Sequence, residues 1–347
     1  MDRLRTAVIG YGLAGATFHA PLISASDGLV LSTVVTSNPE RREKALSEHP
    51  ETLVLASVED LWDSAADHDL VVVAAANDAH VPLARAAIDN GLPVVVDKPL
   101  APTADAARAL VAHASTRGVL LTVFHNRRWD SDYLTLRKLI AEGALGEVIR
   151  FESRFERWRP SLRPDAWRET ATPAQGGGVL LDLGTHLVDQ ALQLFGPAGH
   201  VYGEVEHRRG AGGDDDAFVA IRHESGADSH LSMSAVAAAP GPRLRVLGTR
   251  AAFVVQEVDG QEDALRAGRR PDGHGPWGVE PRERWGTLVR DPESEPVPSE
   301  RGDWPKFYAH LARSLREGGS PPVDPRDAVT ALEVLDAARD GMSRLAY

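Results

Sequence analysis

The sequence predicts an α/β protein in two parts: an N-terminal parallel sheet covered by helices on both faces, then a second α/β domain on a mainly antiparallel sheet. Three observations carry this. Over the first third, short apolar runs alternate with helical patterns, as parallel strands buried on both faces require. Beyond Trp129 strand follows strand through tight turns, which suits antiparallel pairing. The 347 residues exceed one ordinary core, so two domains are expected, 1–125 and 126–347.

The first domain reads as strands Arg5–Gly10, Leu29–Thr36, Leu53–Leu55, Leu70–Ala75, Pro93–Val96 and Val119–Phe124. Between them lie helices Leu13–Ser24, Pro39–Glu48, Val58–Ala65, His80–Asn90 and Thr103–Arg117. Pro21 marks a late kink or stop in the first helix. Asn38 before Pro39 and Ser57 before Val58 are N-cap candidates. The second domain opens on a helix, Tyr133–Glu142, and a long strand, Gly146–Arg159. Strands follow at His200–His207, Ala217–His223, Asp228–Ala235, Arg243–Leu247 and Ala251–Val255. Gly260–Pro305 is rich in Gly, Pro and charge and is expected to be a surface excursion; helices Pro305–Glu317 and Pro325–Leu345 close the chain, the last packing back on the first domain.

Apolar residues make up 43% and charged residues 25%, ordinary for a globular protein. The net charge of −12 argues against a nonspecific nucleic-acid surface. With no cysteine, disulfides, thiolate nucleophiles and cysteine-based zinc sites are excluded, and a cytoplasmic location is expected. The N-terminus does not read as a signal peptide, and no apolar run is long enough for a membrane span.

Gly10-Tyr-Gly12-Leu13-Ala14-Gly15 follows the first strand and opens the first helix. Glycines permit the tight turn and let backbone N–H groups approach a pyrophosphate at the helix N-terminus, so a dinucleotide is expected here. NAD-binding versions usually carry an acid at the end of the second strand. This chain has Ser37 and Arg41 nearby instead, which could accept a 2′-phosphate, so NADP is preferred and NAD possible. Ala75, Asn77 and His80 follow the fourth strand on the same sheet edge and extend the cofactor side, His80 reading more as a helix-start residue than as a catalyst.

The next strand end reads VVVDKPLA. It delivers Asp97 and Lys98 to that edge, and Pro99 restricts the residue before it. A lysine so fixed can orient a substrate hydroxyl or stabilise a developing alkoxide. Further on, GGGVLLDLGTH, read as one helix after Gly176–Gly178, puts Asp182 and His186 four residues apart on one face. A histidine is the natural proton acceptor in alcohol oxidation. Asp182 can bind a neighbouring hydroxyl or hold the imidazole. No metal is expected, because no convergent ligand spacing exists beyond this pair. Bland readings stand beside these: a strand-end salt bridge for Lys98 and a core histidine for His186.

GYGLAG, DKPL and GGGVLLDLGTH together resemble the Gfo/Idh/MocA oxidoreductase family. The resemblance spans the chain and implies an N-terminal Rossmann domain, a C-terminal α/β domain on a large, mainly antiparallel sheet, and Lys98, Asp182 and His186 as the catalytic set. Asp97 departs from the family's usual Glu, and Ala75-Ala76 from its frequent Thr-Pro. GYGLAGATFHAPLI, VFHNRRWDSDYLTLRKLI and GQEDALRAGRRP are most similar to NADP-dependent scyllo-inositol dehydrogenases. His125, Asn126, Arg127 and Arg128, with Arg157 and Trp167, are then candidates for binding a polyhydroxylated ring, with interdomain salt bridging as the alternative for the two arginines.

The expected activity is hydride transfer between a secondary alcohol of a cyclic polyol or sugar and the nicotinamide. The alternatives are a non-catalytic dinucleotide sensor or regulator and an NAD-dependent glycosidase on the same fold. The resemblance implies a homodimer or homotetramer through the C-terminal sheet.

Overall fold

A computed structural model describes residues 2–162, 167–210, 212–273 and 275–344, leaving aside the side chains of 167, 168 and 342–344. The parallel sheet comprises β1 (Leu4–Ile9), β2 (Leu29–Val35), β3 (Leu53–Leu55), β4 (Leu70–Val73), β5 (Val94–Val96) and β6 (Leu121–Val123), in the order β3-β2-β1-β4-β5-β6. All pairs are parallel. The valine runs of β4 and β5 are fully buried, which suits strands covered on both faces. Each such side chain contributes about 1.5–3 kcal/mol of burial.

The helices of this domain are α1 (Ala20–Ser24), α2 (Pro39–Glu48), α3 (Val58–Asp63), α4 (His80–Asp89) and α5 (Ala104–Arg117). Asn38 and Ser57 cap α2 and α3 as their sequences suggest. The first helix differs from expectation: Ala14–His19 is a π-helical turn, and α1 begins only at Ala20. Pro21 therefore does not stop the helix: the π turn runs straight into α1, and Pro21 stands in the first turn of the α-helical portion, where the helix changes type.

The second domain adds α6 (Ser131–Ala141), β7 (Val148–Glu156), α7 (Trp167–Thr170), α8 (Val179–Asp182), α9 (Gly184–Phe195), β8 (Ala198–Glu206), β9 (Asp216–His223), β10 (Asp228–Ser234), β11 (Leu244–Gly248) and β12 (Ala252–Val255). Gly260–Pro305 is more than a surface excursion. It holds α10 (Gln261–Arg266), β13 (Gly286–Arg290) and β14 (Glu293–Val297), the last two extending the sheet. Buried Gln261 also anchors Trp277 and Trp304 through its side-chain oxygen. After α11 (Pro305–Glu317) and α12 (Pro325–Arg339), the chain leaves the helix and forms β15 (Met342–Arg344), not the continuous helix to Leu345 that its pattern suggests. Gly341, at φ +92°, makes that exit.

The nine strands run β14-β13-β12-β11-β7-β10-β9-β8-β15, antiparallel throughout except for β7 beside β10. The C-terminal helices return to the first domain. Asp336 accepts from the Ala104 N–H at the start of α5, 2.8 Å away, and Thr122 in β6 donates to the Val323 carbonyl at 2.8 Å. Phe124, Phe307, Trp129, Phe18 and Trp304 form an aromatic seam between the two halves. These contacts hold the carboxyl ends of β1, β4, β5 and β6 facing α8 and α9. No described helix is long and apolar enough to cross a membrane.

Candidate active site

The glycine loop is built for close approach. Gly10 has φ +94°, and a β-carbon there would lie 2.6 Å from the Ala74 carbonyl oxygen. A β-carbon on Gly15 would lie 1.9 Å from the Gly10 oxygen, so both residues are glycine for packing. Gly12 is different. A side chain there would meet nothing nearer than the Arg41 guanidinium at 3.7 Å. That open face, with Leu13 and Ala14 reaching into the cavity beyond it, fits a dinucleotide lying over the loop. Ser37 and Arg41 are exposed beside it, and no acid occupies the β2 end.

Asp97 and Lys98 emerge from β5 as expected, and the Lys98–Pro99 bond is cis. Asp97 is buried but lines the cavity. Burial alone would raise its pKa; His19 first, then Lys98 and His80, hold the carboxyl below its ordinary range. Lys98 reaches across to the second domain. Its Nζ donates to Asp182 Oδ1 at 2.6 Å and to the Asp182 carbonyl at 2.7 Å.

The opposite wall is made by the triple glycine. Gly178 (φ +98°) turns the chain into α8, and a β-carbon there would lie 2.1 Å from Asp214 Oδ1. Asp214 binds the first turn of α8, its Oδ2 accepting from the Leu180 N–H at 2.6 Å and its carbonyl from the Val179 N–H at 2.8 Å. The helix breaks at Leu183 (φ −104°, ψ −38°), and α9 restarts at Gly184. The expected single helix is thus two, and the Thr185 hydroxyl covers the Leu181 carbonyl at the joint. The Asp182 carboxylate turns to Lys98. His186 is buried, lines the cavity and has no hydrogen-bond partner on Nδ1 among the described residues. Burial first, then Lys98, Arg127, His125 and Arg243, push its pKa well below the imidazole range, so it stands neutral.

Lys98, Asp182 and His186 line one cavity of about 710 Å³ between the domains, together with Asn126, Arg127 and Arg157. Other expected residues are placed elsewhere. Asn77 donates its amide to the Gly176 carbonyl at 2.7 Å, stitching the domains together. Fully buried His80 has Nδ1 2.7 Å from the Pro99 carbonyl and Nε2 3.3 Å from that of Ala75; it braces the DKP turn, leaving no surface for a cofactor. Ala75 is half-buried. His125 lies behind the cavity wall, buried with neither ring nitrogen hydrogen-bonded among the described residues. Arg128 points away into a carboxylate pair, Asp189 at 2.5 Å and Asp327 at 2.8 Å, a salt bridge within the second domain and not the interdomain one expected. The two arginines part because they share a 3₁₀ turn, Asn126–Trp129. The side chain of Trp167 lies outside the described residues.

Arg127 lines the wall as expected, whereas Phe155 and Arg243 beside it had no sequence signal. Arg127 and Arg243 both stack on Phe155, at 4.7 and 4.3 Å, and the Phe155 ring meets His186 edge-on at 6.2 Å. Arg243 is anchored by Asp132 at 3.3 Å and Gln190 at 2.9 Å, and Arg127 by Glu262 at 2.7 Å. These partners are 53 to 135 residues away in sequence, so no local pattern marks them.

Comparison with known proteins agrees with this architecture. Residues 4–125 match the oxidoreductase family with an NAD-binding Rossmann fold, and residues 133–254 match the GFO/IDH/MocA C-terminal domain. The chain is 34% identical to the scyllo-inositol 2-dehydrogenase (NADP(+)) IolW of Bacillus subtilis, over 98% of this chain and 94% of that one. It is 40% identical to the oxidoreductase YdgJ of Escherichia coli, over 96% and 95%. The solved structure of the Bacillus subtilis yvaA protein superposes with a TM-score of 0.92 at 33% identity, covering 99% of both chains. An oxidoreductase-family structure from Klebsiella pneumoniae gives 0.88 at 36% identity, covering 100% of this chain and 96% of that one. The chain belongs to the Gfo/Idh/MocA oxidoreductase family, with an NAD-binding Rossmann domain followed by that family's C-terminal domain.

Proposed function

We propose that this protein is an NADP-preferring dehydrogenase that oxidises a secondary alcohol on a neutral cyclic polyol of the inositol kind. One observation carries the reading: Lys98 from the first domain and His186 from the second face one cavity, with Asp182 locking the lysine. When bound, the dinucleotide supplies the nicotinamide carbon that takes the hydride. Lys98 donates to the reacting oxygen and stabilises charge as it develops. His186, kept neutral, takes the hydroxyl proton. With Nδ1 buried, Nε2 is the nitrogen for this task. Asp182 holds the Lys98 ammonium in place and can accept from a neighbouring hydroxyl.

The cavity wall carries nine basic side chains (Lys and Arg) and nine acidic ones, so its formal charge balances. That wall offers donors and acceptors without favouring an anion, which suits a neutral polyhydroxylated ring. scyllo-Inositol, for which the Bacillus subtilis relative is named, is of this class. Exposed Ser37 and the Arg41 guanidinium beside Gly12 support NADP over NAD. We also place homo-oligomeric contact on the outer face of the nine-stranded sheet. Tyr202 is 40% exposed there, next to the Phe218–His230 ring pair.

The test measures reduction of NADP and NAD separately against a panel of inositols and aldoses. Turnover with an inositol and NADP is expected. Tight dinucleotide binding with no reduction across the panel would instead indicate a sensor.

A further inference from the structure

The Asp97 carboxylate faces the cavity beside Lys98 and is held from behind by a residue that the chemistry above does not use. His19 closes the π-helical turn that begins at Ala14 on the glycine loop, and its ring is fully buried. Its Nε2 lies 3.6 Å from Asp97 Oδ1, and its Nδ1 lies 2.6 Å from the hydroxyl of Tyr308. Tyr308 is also fully buried and comes from α11. Phe124, at the end of β6, packs on the imidazole at 4.5 Å. Three elements of the fold, the glycine-loop helix, the end of β5 and a C-terminal helix, thus meet in one buried row of titratable groups that reaches the cavity only at Asp97.

Hydrogen-bond accounting admits one arrangement. Nε2 faces a carboxylate, so the ring proton belongs there. Nδ1 is then an acceptor, and the Tyr308 O–H supplies its hydrogen; that hydroxyl has no other hydrogen-bond partner among the described residues. At 3.6 Å the Nε2–Oδ1 contact is longer than a hydrogen bond, and contacts of this kind tighten when ligand fills a site. A buried carboxylate needs a fixed donor, and His19 is the donor placed for it. The wide π turn also ties the cofactor side to this row: Ala14, which lines the cavity, and His19 are the two ends of one segment. Such turns recur at functional sites.

We propose that His19 is a positioning residue of the active site: Tyr308 fixes its tautomer, and its Nε2–H fixes the Asp97 carboxylate at the cofactor side of the cavity, beside Lys98. The proposal rests on the dehydrogenase reading above.

Two substitutions divide the row. Asparagine places its amide near the Nδ1 position, keeping Tyr308 and losing Asp97. Glutamine reaches the Nε2 position, keeping Asp97 and losing Tyr308. On wild-type protein that turns over, H19N should lower kcat about 10- to 100-fold, the cost of a small misplacement at a reacting centre, with the dinucleotide Kd within about threefold. H19Q should stay within about threefold of wild type in kcat. Nitrogen NMR of the histidines should show the Nε2–H tautomer at His19, and Y308F, which removes one oxygen, should relax it toward a mixture. Equal kcat in H19N and H19Q, whatever their melting points, overturns the proposal, as does an Nδ1–H tautomer in wild type. If the wild type reduces neither dinucleotide with any substrate, the dehydrogenase reading fails. The tautomer and its response to Y308F then decide the row by themselves.

Discussion

Replacing Lys98 with methionine keeps most of the side-chain volume and removes the ammonium. Two hydrogen bonds go with it, to Asp182 Oδ1 at 2.6 Å and to the Asp182 carbonyl at 2.7 Å. Two effects follow, and their sizes differ. Loss of a donor aimed at developing oxyanion charge costs about 2.7–4 kcal/mol of transition-state stabilisation, roughly 10²–10³ in kcat. Breaking a fully buried ion pair costs about 3–5 kcal/mol of stability. Here the two side chains keep 16% and 26% of their exposure, so solvent screening cuts that to about 1–3 kcal/mol. The assay measures kcat and dinucleotide Kd alongside the melting point, for K98M and for K98M/D182N. Both variants should lose kcat to the same extent with Kd nearly unchanged. The double variant should recover part of the lost stability, because the negative charge that Lys98 balanced is removed with it. Retention of kcat within about tenfold in K98M would refute the role assigned to the lysine, and so would recovery of turnover in the double variant.

Other expectations are narrower. Native His186 resists protonation, so kcat for alcohol oxidation should stay flat as pH falls through about 6.5, where an ordinary histidine titrates; an acid limb centred there would contradict this. The unfolded chain binds a proton near pH 6.5 that native His186 refuses, so stability should fall as pH drops below that value, and H186Q should lessen the fall, as denaturant titrations at several pH values would show. R41A should raise the KM for NADP about tenfold or more, the loss of one charge-assisted hydrogen bond, while the KM for NAD changes little; equal changes would remove Arg41 from the 2′-phosphate. G12A should fold normally and bind the dinucleotide weakly, as titration would show, whereas G15A should fold poorly, because its β-carbon would lie 1.9 Å from the Gly10 oxygen.

Much of this site is local in sequence and therefore legible there. A valine run followed by Asp97-Lys98-Pro99 can only be a buried strand ending on charge, and the glycine loop sits between a strand and a helix. The triple glycine announces a close approach, although its object, Asp214, is 36 residues beyond Gly178 and could not be read. Arg127 and Arg128 are chemically identical and adjacent; only the 3₁₀ turn decides that one lines the cavity and the other joins Asp189 and Asp327. The Gly260–Pro305 stretch looks like a surface excursion in sequence because its two strands are only five residues long, and β14, at the sheet edge, is exposed from Glu293 to Pro296, so no apolar run marks it. The break at Leu183 and the π turn at Ala14–His19 arise from tertiary packing of segments whose local pattern is simply helical.

The central claim is net hydride transfer from a ring carbon to NADP. It is tested most directly with an inositol deuterated at the carbinol carbon, turned over by the enzyme with NADP, and mass analysis of the reduced dinucleotide. The deuterium should be found on the nicotinamide ring, with a slowed rate of transfer. Deuterium retained in the inositol, or lost to water with the dinucleotide still oxidised, would contradict that transfer.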